Sequence, residues 1–157
     1  MKFKKTAVTL SAFAMAVGAT VATAGPVAAA ETGTWRAYGN TNPITSSSSK
    51  WACARTVQVT TGVAAQVCAI RSAHGTGSSV QAAVIVRNDR SGLYRAEATA
   101  TLWRSVATVR LGTWNCSLSG VAADSWSVCF GRTLTNSNSV DATGSLNTKL
   151  LGNSPSV

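Results

Sequence analysis

From Leu93 to Trp103 the chain reads LYRAEATATLW, and apolar and polar positions alternate. Successive side chains of a strand point to opposite faces. Tyr94, Ala96, Ala98, Ala100 and Leu102 therefore share one face, and Arg95, Glu97, Thr99 and Thr101 the other. This is the signature of a strand with one side buried. SVQAAVIVR, 79–87, is apolar at both phases and predicts a central strand covered on both sides. SVATVRLGTW, 105–114, and GSLNTKLL, 144–151, predict further strands, and few stretches show a helical period. RNDRSG, 87–92, and HGTGSS, 74–79, read as turns, since Gly, Asn and Asp tolerate the backbone angles that turns need. TSSSSK, 45–50, is polar enough to predict a flexible linker. ETGTWRAYGNTNPI, 31–44, is either a first strand or an extended N-terminal arm. The pattern predicts an all-β fold of about eight strands, a β-sandwich or barrel-like domain.

The first residues follow a different logic. Lys2, Lys4 and Lys5 precede a run of small apolar residues, Ala7 to Ala24, and Ala28-Ala29-Ala30 supplies an A-x-A cleavage pattern. This predicts a secretory signal peptide over 1–30, with Ala22-Thr23-Ala24 as a second cleavage site. No other stretch is apolar enough to span a bilayer. The expected organisation is a signal peptide (1–30), an arm and Ser-rich linker (31–49) and one β domain (50–157) of a secreted, extracellular protein.

Export changes the meaning of the four cysteines, because an oxidising compartment favours disulfides over thiol chemistry or zinc. KWACARTVQVTTGVAAQVCAIRS, 50–72, and TWNCSLSGVAADSWSVCFGRT, 113–133, share the order Trp-x-Cys, spacer, Cys-x-x-Arg-Ser/Thr. Four cysteines allow three pairings. The repetition favours Cys53 with Cys68 and Cys116 with Cys129, each stapling its own hairpin, centred on Thr60-Thr61 and Ala122-Ala123. Trp35-Arg36 and Trp103-Arg104 precede the two units, and Ser79-Val80-Gln81-Ala82 and Ser139-Val140-Asp141-Ala142 follow them. An internal duplication would explain this, with two copies packed face to face to make one core.

Charge and chemistry narrow the class. The chain carries a net +9, and loss of the three leader lysines leaves +6. The basic residues are scattered rather than clustered, and no nucleic-acid motif is present, so no nucleic-acid partner is expected. His74 is the one histidine, and it sits in a Gly/Ser-rich turn. There is no nucleophile elbow, no glycosidase carboxylate pair and no phosphate-binding loop, so no enzyme activity, metal or cofactor is expected.

Five tryptophans remain to be placed. Trp51 and Trp114 stand two residues before a cysteine and are expected to pack on the disulfides, and Trp126 across its hairpin. Trp35 lies in TWRAY with Arg36 and Tyr38, a group suited to docking into another protein. Signal peptide, single small domain, paired cysteines and the TWRAY arm give a chain that resembles the small adaptor subunits of the umbrella toxin particles secreted by Streptomyces. The resemblance implies a non-enzymatic subunit linking the repeat-bearing stalk of a large antibacterial toxin to a lectin subunit. It also implies that the N-terminal segment, with Trp35, Arg36 and Tyr38, enters a cleft of the lectin. Net charge and tryptophans fit a second reading, a module that contacts cell-wall polysaccharide. A third is a protease inhibitor presenting Arg90 in RNDRSG.

Overall fold

A computed structural model describes residues 29–74 and 77–157, and the signal-peptide expectation falls almost wholly outside these. Two sheets form an open sandwich of twelve strands, not a closed barrel, with no α-helix among the described residues. The strands are β1 (Glu31–Thr32), β2 (Thr34–Gly39), β3 (Lys50–Cys53), β4 (Val57–Thr60), β5 (Val63–His74), β6 (Gly77–Asn88), β7 (Tyr94–Arg104), β8 (Val109–Val121), β9 (Ser125–Phe130), β10 (Leu134–Thr135), β11 (Val140–Leu146) and β12 (Lys149–Asn153). One sheet has the order β1-β8-β7-β11-β12, and the other β2-β9-β6-β5-β3, with β4 on β5 and β10 on β6.

The two strands with the clearest patterns meet in the middle. β7 turns Ala96, Ala98, Ala100 and Leu102 inward, all buried. Across the gap β6 offers Val80, Ala82, Val84 and Val86, and β5 offers Val63, Ala65, Val67 and Ala69. Alanines on β7 face a mixture of valines and alanines on β5 and β6, small side chains that let the two layers approach closely. Trp114 on β8 fills one end of this core and is fully buried. A Cβ on Gly112 or Gly131 would come within 2.4 Å of its ring, so the indole lies directly against glycine backbone at two places.

Several expectations change. The strand count rises from eight to twelve, because short edge pieces carry little apolar pattern. GSLNTKLL is not one strand but the tight β11–β12 hairpin, turned at Asn147 with φ 51°. HGTGSS is mostly strand, since β5 and β6 continue to the facing pair His74 and Gly77. The first hairpin turns at Thr61-Gly62, one residue later than its cysteines imply, through a register shift between Gln58 and Thr60.

The sheets are not two copies of one unit. The first cysteine unit lies wholly in the larger sheet, whereas the second passes from β8 in the smaller sheet to β9 in the larger. Both predicted pairings are present. Cys53 and Cys68 are cross-strand partners within one sheet, as a hairpin staple requires. Cys116–Cys129 instead ties one sheet to the other, because the chain at 122–124 arches between layers.

The N-terminal segment is part of the fold. β1 pairs in parallel with β8, and β2 pairs with β9 as an edge of the larger sheet. β2 and β3 then occupy opposite edges of that sheet, so Asn40–Ser49 must cross it. Four inter-strand gaps amount to about 19 Å, and ten extended residues reach about 33 Å. The segment crosses the outer face, where Ile44 packs on the sheet and Pro43 is buried. Asn42 organises it: its Oδ1 accepts from the Ile44 amide at 2.9 Å, and its carbonyl accepts from the Ser46 hydroxyl at 2.8 Å. The expected flexible linker is a folded strap.

Candidate functional site

The larger sheet turns Ile70, Ala83, Ile85, Val128 and Cys68 outward, and yet these are buried. The strap and a set of large side chains cover them: Tyr38, Trp51, Trp126 and Phe130. The rings are ordered by one another and by arginine. Trp51 and Phe130 meet edge to face with centroids 6.1 Å apart. The guanidinium carbon of Arg36 lies 5.1 Å from the centre of the Tyr38 ring, and that of Arg87 lies 5.4 Å from the Trp126 ring. Arg87 is held from several sides: Nη1 donates to Asn40 Oδ1 at 3.0 Å and to the Asp124 carbonyl at 2.9 Å, and Nε pairs with Asp89.

The face ends at the β2 edge. Beyond β2 no described strand continues the sheet, so one row of its backbone groups is free to pair. A register shift between Ala37 and Gly39 limits the regular edge to Thr34–Ala37. A depression of about 290 Å³ opens beside it, lined by Thr34, Arg36, Gln81, Phe130 and Gly131.

The three partner-binding candidates do not share one face. Arg36 and Tyr38 stack on the outer face, but Trp35 turns inward against the core. Its indole Nε1 donates to the Ser117 carbonyl of β8 at 2.7 Å, closing the gap between the sheets. Trp35 thus packs between the sheets, and the side chains that join Arg36 and Tyr38 on the outer face, which sequence reasoning missed, are Arg87 and Phe130. Nothing in the local sequence marks them, because strand register alone brings them to the Arg36 side.

The other expectations are readily placed. Trp114 packs beside Cys116 in the core and donates Nε1 to Glu31 at 3.3 Å. Trp51 lies on the opposite surface of the larger sheet with the Cys53–Cys68 bridge. Trp126 rests on Arg87 of the neighbouring strand β6 rather than across a β8–β9 hairpin. Arg90 lies across Gly62, whose Cβ would come within 2.8 Å of Arg90 Cγ. Its loop is tied to Asn88, and Arg90 itself is exposed. His74 ends β5, and its side chain is outside the described residues. No group of three or more His, Cys, Asp or Glu that could hold a metal ion occurs among the described residues.

The chain matches no protein-family model, and no curated protein matches it.

Proposed function

We propose that this is a secreted, non-enzymatic interaction protein. It would serve as an adaptor joining a large secreted antibacterial toxin stalk to a lectin subunit. The observation that carries the reading is the face formed by Arg36, Tyr38, Phe130, Trp126 and Arg87, which runs up to the free β2 edge. Aromatic residues and arginine dominate the binding energy of protein interfaces. A free edge adds main-chain hydrogen bonds to an extended segment from a partner. Two disulfides in so small a domain fit an extracellular setting and hold the surface rigid, which lowers the ordering cost of binding. The docking mode differs from the free arm that the resemblance implies: residues 31–39 present a sheet edge, and the partner supplies the inserted segment.

The test is affinity capture with the immobilised mature protein from medium of a Streptomyces culture that secretes it, with retained proteins identified by mass spectrometry. A large repeat-bearing protein and a lectin subunit are expected on the wild type. Both should be depleted at least tenfold on Arg36→Glu and Tyr38→Ala variants that keep the wild-type circular dichroism. Absence of both from the wild-type matrix would rule out the adaptor role. Equal retention by the variants would move the interface elsewhere.

A further inference from the structure

The outer face of the smaller sheet has a different character. We propose that it is a binding groove for a neutral oligosaccharide chain. The register aligns its outward side chains in rows across β8, β7, β11 and β12. Asn115, Thr99, Ser145 and Leu150 form one row, and Thr113, Thr101, Thr143 and Asn153 the next. Trp103 faces Asp141 in the third. Neighbouring strands stand about 4.8 Å apart, so hydroxyl, amide and carboxylate groups recur at near-regular intervals over the face.

The face is hollowed rather than flat. A register shift between Thr143 and Ser145, opposite Gly152 at φ 81°, interrupts the regular pairing of β12 with β11. Depressions of about 480 and 330 Å³ lie on this face, and both are lined by Thr143 and Asn153, so they are adjacent. That size suits a small-ligand site.

Part of the polar lining is already engaged and therefore fixed. Trp103 Nε1 donates to Thr143 Oγ1 at 2.9 Å, Thr101 and Thr113 share a hydrogen bond at 3.0 Å, and Thr99 Oγ1 donates to Asn115 Oδ1 at 2.9 Å. The rest is free. Among the described residues, the Asp141 carboxylate, the Ser145 hydroxyl and the Asn153 amide have no hydrogen-bond partner. A carboxylate and an amide are the groups that pair with adjacent hydroxyls. The Trp103 ring, threonine methyls and Leu150 supply carbon surface between them, and an indole with its N–H already satisfied offers its ring for stacking. Sugar rings combine these two features, a C–H face and a fringe of hydroxyls. Only Asp141 and Arg104 are charged in the lining, one of each sign, which favours a neutral chain over a polyanion.

This groove lies on the opposite side of the sandwich from the Arg36–Trp126 face, so its occupancy is independent of the adaptor role. The test is amide chemical-shift mapping of the ¹⁵N-labelled mature protein with cellohexaose, chitohexaose, xylohexaose and mannohexaose. Each is titrated to about 5 mM, above a dissociation constant of about 1 mM. At least one is expected to shift resonances of β7, β11 and β12, unaffected by added salt. Trp103→Ala and Asp141→Ala should weaken binding at least tenfold, and Asp141→Asn serves if Trp103→Ala does not fold. Failure of all four to shift these resonances would overturn the proposal. So would shifts confined to the β2–β9 face, or binding undiminished in both alanine variants.

Discussion

Cys116 on β8 and Cys129 on β9 are bonded across the space between the two sheets, with Cα atoms 5.9 Å apart. Both sulfurs belong to residues with no exposed surface, whereas the bridge within the larger sheet includes half-buried Cys53. The two bridges close loops of similar length, 15 and 13 residues apart, so each contributes about 3 kcal/mol by loop entropy. Access, not stability, separates them. Under graded reductant in native buffer, alkylation should appear first at Cys53 and Cys68, and at Cys116 and Cys129 only as the domain unfolds. Peptide mapping that finds the inter-sheet pair labelled first would contradict this placement.

Trp114 is enclosed by Gly112 and Gly131, whose Cα atoms leave no room for a methyl group. Gly131→Ala should destabilise the domain by about 1–3 kcal/mol, the range for overpacking a filled core. Gly92, with open space around its Cβ position, is the control, and Gly92→Ala should change stability by less than about 0.5 kcal/mol. Urea denaturation of the two variants reads the difference directly. Equal midpoints would show that the Trp114 site relaxes freely.

How much of this was legible follows from which forces are local. The alternation from Tyr94 to Leu102 gave the buried face of β7, because one side meets the core and the other meets water. The double-sided apolar run of β6 gave a central strand, since its outer residues Ala83 and Ile85 are covered too. What covers them was invisible: the strap is Ser-rich, and only Pro43 and Ile44 anchor it. The cysteine pairing was legible from the repeat, but the sheet that each cysteine joins was not, because a period of two is the same for every partner strand. The groove depends on Trp103 and Asp141 standing opposite one another, which is a matter of register. Arg36 and Tyr38 were picked out together with Trp35, but once residues 34–39 form a strand, alternation alone turns Trp35 to the opposite face.

Asn88 is the buried polar group on which the loops at one end depend. Its Nδ2 lies 2.9 Å from the carbonyl oxygens of Gly92 and Ala122 and 3.0 Å from that of Val121, while Oδ1 accepts from the Arg90 amide at 3.1 Å. One side chain thereby joins the β6–β7 loop to the arch between the sheets. Asn88→Ala leaves these groups without their partner, at a cost of about 1–3 kcal/mol for a buried unsatisfied group. Thermal unfolding should shift down accordingly, and amide exchange should quicken at Arg90. A variant with unchanged exchange at Arg90 would show that the loop is held by other contacts.

The strap makes a last prediction that links stability to access. Ile44 packs on the outer cluster that includes Cys53, Cys68 and Trp51, so the chain there shields the intra-sheet bridge as well as the sheet. Ile44 is only half-buried, and Ile44→Ala should therefore cost less than the roughly 2–5 kcal/mol of a fully buried site. Its larger effect should be local. With the anchor shortened the strap lifts more often, and native-state reduction of Cys53–Cys68 should quicken several-fold, while Cys116–Cys129 stays protected at the same reductant concentration. Acrylamide quenching should rise in the same variant and not when Trp51 and Trp126 are both replaced by Phe, because these are the two indoles of the outer cluster. If both bridges respond equally, Ile44 acts through global stability, and the strap is not what guards this face.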